Sequence, residues 1–166
     1  MYVCGRDNRF RPIIVVNAAR IMNLELTSEQ LQKLTIYVSE YVKEHIFVPQ
    51  KVENWIFIID LANIGIFKLP LNSLKDLGYT LEKNYRTKLY RLYTVNAPWT
   101  ITVIYGFIKA FDKNIQKKIM ISKTHSVPEM FNHINKSQIE IKYGGTMPDM
   151  NNCWPFKDDN DNVLTV

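Results

Sequence analysis

Only two cysteines occur in the 166 residues, Cys4 and Cys153, near opposite ends of the chain and with no Cys-x-x-Cys spacing. That excludes a disulfide scaffold and offers no thiol pair to zinc or to a redox couple. Such sparse cysteine suits a reducing compartment, so a cytoplasmic location is expected. Glycine is also scarce, with Gly5, Gly65, Gly78 and Gly106 standing alone, and none has the context of a Walker A or dinucleotide loop. Gly-x-Ser-x-Gly and His-Glu-x-x-His are missing as well. The three histidines, His45, His125 and His133, are scattered between helix ends and a loop, where surface roles outweigh ligand or base roles. No apolar run approaches the roughly 20 residues that cross a bilayer, and no stretch reads as a cleavable leader. Any membrane contact is therefore expected to be peripheral. Neither a metal, a cofactor nor enzymatic activity is expected.

What the chain does have is apolar mass and positive charge. At 46% hydrophobic it is long enough for one core with room for a cavity, and too short for two comfortable domains. Its net charge of +5, from 21 basic and 16 acidic residues, makes anionic surfaces attractive partners. Nucleic acid is not expected, because the bases are not interleaved with aromatics in any recognisable module.

The chain is organised around 85–118. Leu89 to Val95 reads as a strand covered on both faces, with Leu89, Arg91, Tyr93 and Val95 alternating against Tyr90, Leu92 and Thr94. Asn96-Ala97-Pro98 ends it, since proline cannot donate to the ladder. A helix is predicted from Trp99 to about Phe111, apolar on both faces and too short to span a bilayer. It is either a buried helix or one that covers a cavity and can swing out to meet a membrane.

Before this stretch, a charged turn over residues 4–12 feeds a strand at Ile13 to Val16, and a helix runs from about Glu29 to Glu44, with Thr27 or Ser28 as its cap. The apolar run from Val52 to Leu61 reads as a buried parallel strand, and about Leu71 to Asn84 as a helix with Leu74, Leu77 and Leu81 on one face. After it come a strand from Ile119 to Ser122, a short helix from Val127 to Ile134 capped by Ser126, and a last strand from Ile139 to Tyr143. Alternating strands and helices predict an α/β fold with a mostly parallel sheet. Residues 1–146 form one domain in this reading, and 147–166 a polar, flexible tail.

Asp60 ends a buried strand, where an α/β enzyme places its chemistry. No second carboxylate or histidine accompanies it, so an anchor for the following loop is the favoured role. In the basic cluster Lys109, Lys113, Lys117 and Lys118, the first three would share one side if that segment were one helix, suited to solvent or to lipid headgroups.

The segments GRDNRFRPIIVV, WIFIIDLANIG, NYRTKLYRLYTVNAPW, FIKAFDKNIQKKIMI and YGG, in this order over about residues 5 to 145, resemble the CRAL-TRIO lipid-binding domain family. The resemblance implies a sheet flooring an apolar pocket, covered by helices, with the helix after Asn-Ala-Pro as a mobile gate. It implies a hydrophobic cargo such as a phospholipid, carried or presented between membranes without covalent chemistry. By position, Trp55, Phe57, Ile59, Leu92 and Thr94 would face the pocket, and Ile101, Ile104, Tyr105 and Ile108 would line the gate. Lys88 and Lys118 would contact a headgroup.

Departures from the pattern are equally specific. Thr87-Lys88 replaces the Glu-Arg pair of phosphatidylinositol-transferring members, and Ile115 or Gln116 stands where a threonine serves the inositol phosphate. Trp55, Phe57 and Ile14 occupy choline-binding positions, and Phe10 replaces the glycine usual before Arg-Pro. The bulky Trp55 and Phe57 favour an alternative in which the same fold, with a collapsed pocket, is an interaction module. The family's usual N-terminal helical domain is not in this sequence, which reads as a minimal member or a fragment; uncovered apolar surface would then promote self-association.

Overall fold

The computed structural model describes residues 1–64, 71–98, 106, 108–109 and 111–150, with the backbone alone for 71–75. Five strands, β1 (Tyr2–Arg6), β2 (Pro12–Asn17), β3 (Trp55–Asp60), β4 (Leu89–Val95) and β5 (Ile119–Ile121), lie side by side in chain order. β1 runs antiparallel to β2, and every later pair is parallel. Helix α1 (Ala18–Met22) and α2 (Ser28–Tyr41) join β2 to β3, α3 (Leu71–Tyr85) joins β3 to β4, and the one-turn α4 (Lys113–Gln116) precedes β5. Right-handed crossovers between neighbouring parallel strands place α1, α2 and α3 on one face.

Two cores follow from the period of two along the strands. Ile13, Val15, Ile56, Ile58, Tyr93 and Val95 point to the back face, where Val127, Met130, Ile134, Ile139 and Tyr143 cover them. Ile14, Trp55 and Phe57 point to the helical face, against Val38, Val42 and Tyr85. Burial on both faces explains why β2 and β3 read as unbroken apolar runs.

Several predicted elements change in the structure. Tyr2–Arg6 is a strand rather than part of a charged turn: Tyr2 and Cys4 pack on the back core while Met1 and Val3 pack on the other. In the connection read as polar, Asn17 starts α1, its Oδ1 accepting from the Arg20 amide at 2.9 Å. α2 opens with a reciprocal capping box between Thr27 and Gln30 and continues beyond Tyr41 as a π-helical turn, Val42–Ile46. The faces of β4 shift at a bulge, since Trp55 pairs with Leu89 but Ile56 with Arg91, leaving Tyr90 as the extra residue. Leu89 therefore joins Leu92 on the helical side, and Tyr90 joins Tyr93 on the back.

Between 128 and 145 the chain is built of turns. Pro128–Asn132 is a 3-10 helix with Val127, not Ser126, at its cap position, and Ile141–Tyr143 is another rather than a strand. Asp112 caps α4, accepting the Asn114 amide at 2.8 Å, so Lys113 and Lys117 belong to a new turn and share no helix with Lys109. Residues 147–150 bond back to 139–142, through the Met147 amide to Ile139 and the Lys142 amide to Asp149. Of the predicted gate helix, 99–105, 107 and 110 lie outside the described residues, as does the tail from 151.

Candidate functional site

Between the helical face of the sheet and α1, α2 and α3 lies a cavity of about 240 Å³. Its floor is Phe57, Ile59, Leu92, Thr94 and Ile119, side chains that successive parallel strands bring side by side. Walls come from Ile21 and Met22 on α1, Leu31 and Thr35 on α2, and Leu77, Leu81 and Tyr85 on α3, with Ile108, Phe111 and Ile115 on the remaining side. The lining is almost entirely hydrocarbon. Thr35 spends its hydroxyl on the Leu31 carbonyl at 2.9 Å. Thr94, buried at 5% exposure, offers the floor a hydroxyl with no partner among the described residues. Glu82 near the end of α3 and Arg86 just beyond it are the charged residues at the lining, the first accepting the Asp112 amide and the second meeting the Asp112 carboxylate at 3.4 Å.

One end is closed by aromatic rings. Trp55, 1% exposed, lies 5.4 Å from Phe47, 5.8 Å from Phe57 and 5.7 Å from Tyr85 between ring centroids, spacings that suit tilted and edge-to-face contacts. The Tyr85 hydroxyl donates to Glu40 at 2.6 Å, and Lys43 pairs with the same carboxylate. Burial and then the Glu40 bond push the Tyr85 phenol up, while the Lys43 bond, with help from Tyr85, holds Glu40 down. Tyr85 thus stays a neutral donor to an ionised acid. The wall is oriented by a polar bond outside the cavity.

Of the side chains expected to face a pocket, the structure brings Trp55, Phe57, Ile59, Leu92, Thr94 and Ile108 to this cavity. Ile101, Ile104 and Tyr105 lie outside the described residues. Lys88 is paired with Glu53 at 3.1 Å, and Lys118 donates to the Leu89 carbonyl at 2.6 Å; neither lines the cavity. The contributions of α1 and of Arg86 were not anticipated. For α1 the signal was present, because Ala18, Ile21 and Met22 are spaced for one helical face.

Asp60 is an anchor. One carboxylate oxygen accepts the Ala62 amide at 2.9 Å and Asn96 Nδ2 at 2.8 Å, and the other accepts the Tyr143 hydroxyl at 3.0 Å. It ties the ends of β3 and β4 to the C-terminal turns and has no histidine beside it. His133 contacts the Tyr93 hydroxyl at 3.0 Å on the back face, and His45 stacks on Tyr41. Burial pushes the Cys4 thiol up to about 12, which leaves it protonated and unreactive. Among the described residues no cluster of His, Cys, Asp and Glu could hold a metal, and no helix is long and apolar enough to cross a membrane.

The family model of the CRAL/TRIO domain matches this chain over residues 1–145. The chain belongs to the CRAL/TRIO family. It is 20% identical over 148 residues to a CRAL-TRIO domain-containing protein of Schizosaccharomyces pombe, covering 89% of this chain and 32% of that protein. To Patellin-3 of Arabidopsis thaliana it is 27% identical over 169 residues, covering 93% of this chain and 34% of the relative. The chain thus spans about a third of the length of these curated relatives. The crystal structure of Sfh5 superposes with a TM-score of 0.73 at 14% identity, over 98% of this chain and 59% of the other, a likeness of fold. Membership brings lipid binding as the family's general property.

Proposed function

We propose that the cavity holds one hydrophobic lipid and that the protein carries or presents it between membranes, without covalent chemistry. The observation that carries this reading is a 240 Å³ apolar space left open between the sheet and its helices. Leaving Leu92, Ile59 and Leu81 around a void forfeits their packing, and a cargo restores it at about 0.8 kcal/mol per buried methylene. The volume lies just below the range of about 300–1,000 Å³ usual for small-molecule pockets, which favours a slender cargo or part of a larger one. Thr94 is the hydrogen-bond point for an ester or hydroxyl on the cargo. Lys88 and Lys118 serve an anionic headgroup only by giving up Glu53 and the Leu89 carbonyl, respectively. Docking at a membrane would be peripheral, through basic surface.

Native mass spectrometry of freshly purified protein, followed by solvent extraction, tests this. A near-stoichiometric bound lipid is expected. A bare protein mass after gentle purification, together with no uptake of any fluorescent lipid, favours an interaction module of the same fold instead.

A further inference from the structure

Among the described residues with large apolar side chains, Phe10 is one of the most exposed, at 67%, and its backbone is left-handed at φ 62°. A bulky residue in that region is a steric outlier that persists only where its surroundings over-determine it. Here they do. The buried Asp7 carboxylate accepts the amides of Arg9 at 2.9 Å and Arg11 at 2.8 Å, and pairs with the Arg11 guanidinium at 2.8 Å. The Asp7 amide donates to the Arg11 carbonyl at 3.0 Å, and the Asn8 amide to His133 at 2.9 Å. Arg11 in turn stacks on the Tyr90 ring at 3.6 Å. The loop is a rigid mount, and what it mounts in solvent is a phenyl ring.

The exposed charge of the loop itself is of one sign. Asp7 is spent on Arg11 and on backbone amides, whereas Arg9 is exposed and its side chain has no partner among the described residues. Arg6 donates to two carbonyls, those of Phe10 at 2.8 Å and Ile46 at 2.7 Å, so no acid offsets its charge. The second bond sets the loop against the turn that carries Phe47 to the aromatic end of the cavity.

We propose that the loop Asp7–Arg11 is a docking tip for an anionic lipid surface, with Phe10 entering the acyl boundary and Arg9 and Arg6 meeting the headgroups. A single protruding ring flanked by unoffset cations complements a fluid, negatively charged interface, which needs no shaped socket. The choice of a lipid surface over a protein groove rests on the cargo reading of the cavity. In the sequence this tip, between β1 and β2, is distinct from the predicted gate helix and from the lysines at 109–118.

Vesicle sedimentation tests it, using phosphatidylcholine with and without phosphatidylserine. Phe10→Gly and Phe10→Asn both suit the left-handed backbone, so each is expected to fold with its Tm unchanged or raised. Each lowers partitioning onto the mixed vesicles about tenfold, and Arg9→Gln lowers it about fivefold on the anionic vesicles only. Phe10→Trp keeps binding and adds a blue-shifted indole signal quenched by bromine-labelled lipid. Wild-type protein that ignores the mixed vesicles, or a Phe10→Gly variant that binds them as wild type does, overturns the proposal. Uptake of a short-chain fluorescent phosphatidylcholine, dissolved as monomer, reads the cavity separately. Uptake without vesicle docking sinks the tip alone, and docking without uptake sinks the cargo reading alone.

Discussion

At Trp55 a large ring fills one end of the cavity without filling all of it, because Phe47, Phe57 and Tyr85 hold it edge-on and tilted at the wall. The alternative of a collapsed pocket rested on the bulk of Trp55 and Phe57, and their placement shows how that bulk is stacked into a wall. On the opposite face, His133 illustrates how one residue couples stability to pH. Burial holds its pKa below the ordinary value of 6.5, so the folded state prefers the neutral ring bonded to Tyr93. Below about pH 6.5 the unfolded chain takes up a proton that the folded one resists, so this contribution is intact above that pH. It is lost as pH falls towards the folded pKa. Urea midpoints measured between pH 7 and 5 should therefore fall less steeply in His133→Gln, which keeps a hydrogen-bonding group without the titration. An unchanged slope would remove His133 from the account.

Elements were legible where the physics is local and periodic. β2 and β3 announce themselves as apolar runs because both their faces are covered, and α2 through a cap residue at Thr27 ahead of apolar positions at helical spacing. The period of two places Trp55, Phe57 and Ile59 on one face from sequence alone. That reasoning fails for Leu89 at the β4 bulge, since nothing in Leu89-Tyr90-Arg91 marks the inserted residue; only pairing with β3 does. Likewise Ile139–Tyr143 has strand-like residues, yet Gly144 at φ 87° and Gly145 fold it back as a 3-10 turn. A Cβ on Gly145 would lie 1.9 Å from the Ile139 carbonyl oxygen, a backbone atom that cannot step aside. Gly145→Ala should cost about 2–4 kcal/mol, a fall in Tm of roughly 4–16 °C at this chain length. A Tm within a degree or two of wild type would show that the turn yields. The cavity walls from α3 were visible as Leu77 and Leu81 spacing, but spacing cannot tell a packed face from one that lines a void.

At the scale of the molecule, the back face buries its side chains under the C-terminal turns, and the cavity lies on the helical face. Tyr2, Glu140, Tyr143 and Asp60 stitch those turns to the sheet, so the domain can tolerate a cavity on the other side. The central claim is that this space exists to be filled by a cargo. Leu92→Trp, with Ile59→Phe as a second and independent filling, tests it most directly through uptake of a fluorescent phospholipid from donor vesicles. Both variants should keep or raise Tm, because each restores packing to a void, while uptake falls at least tenfold. Variants that are folded, filled and still load lipid as well as the wild type would contradict the account.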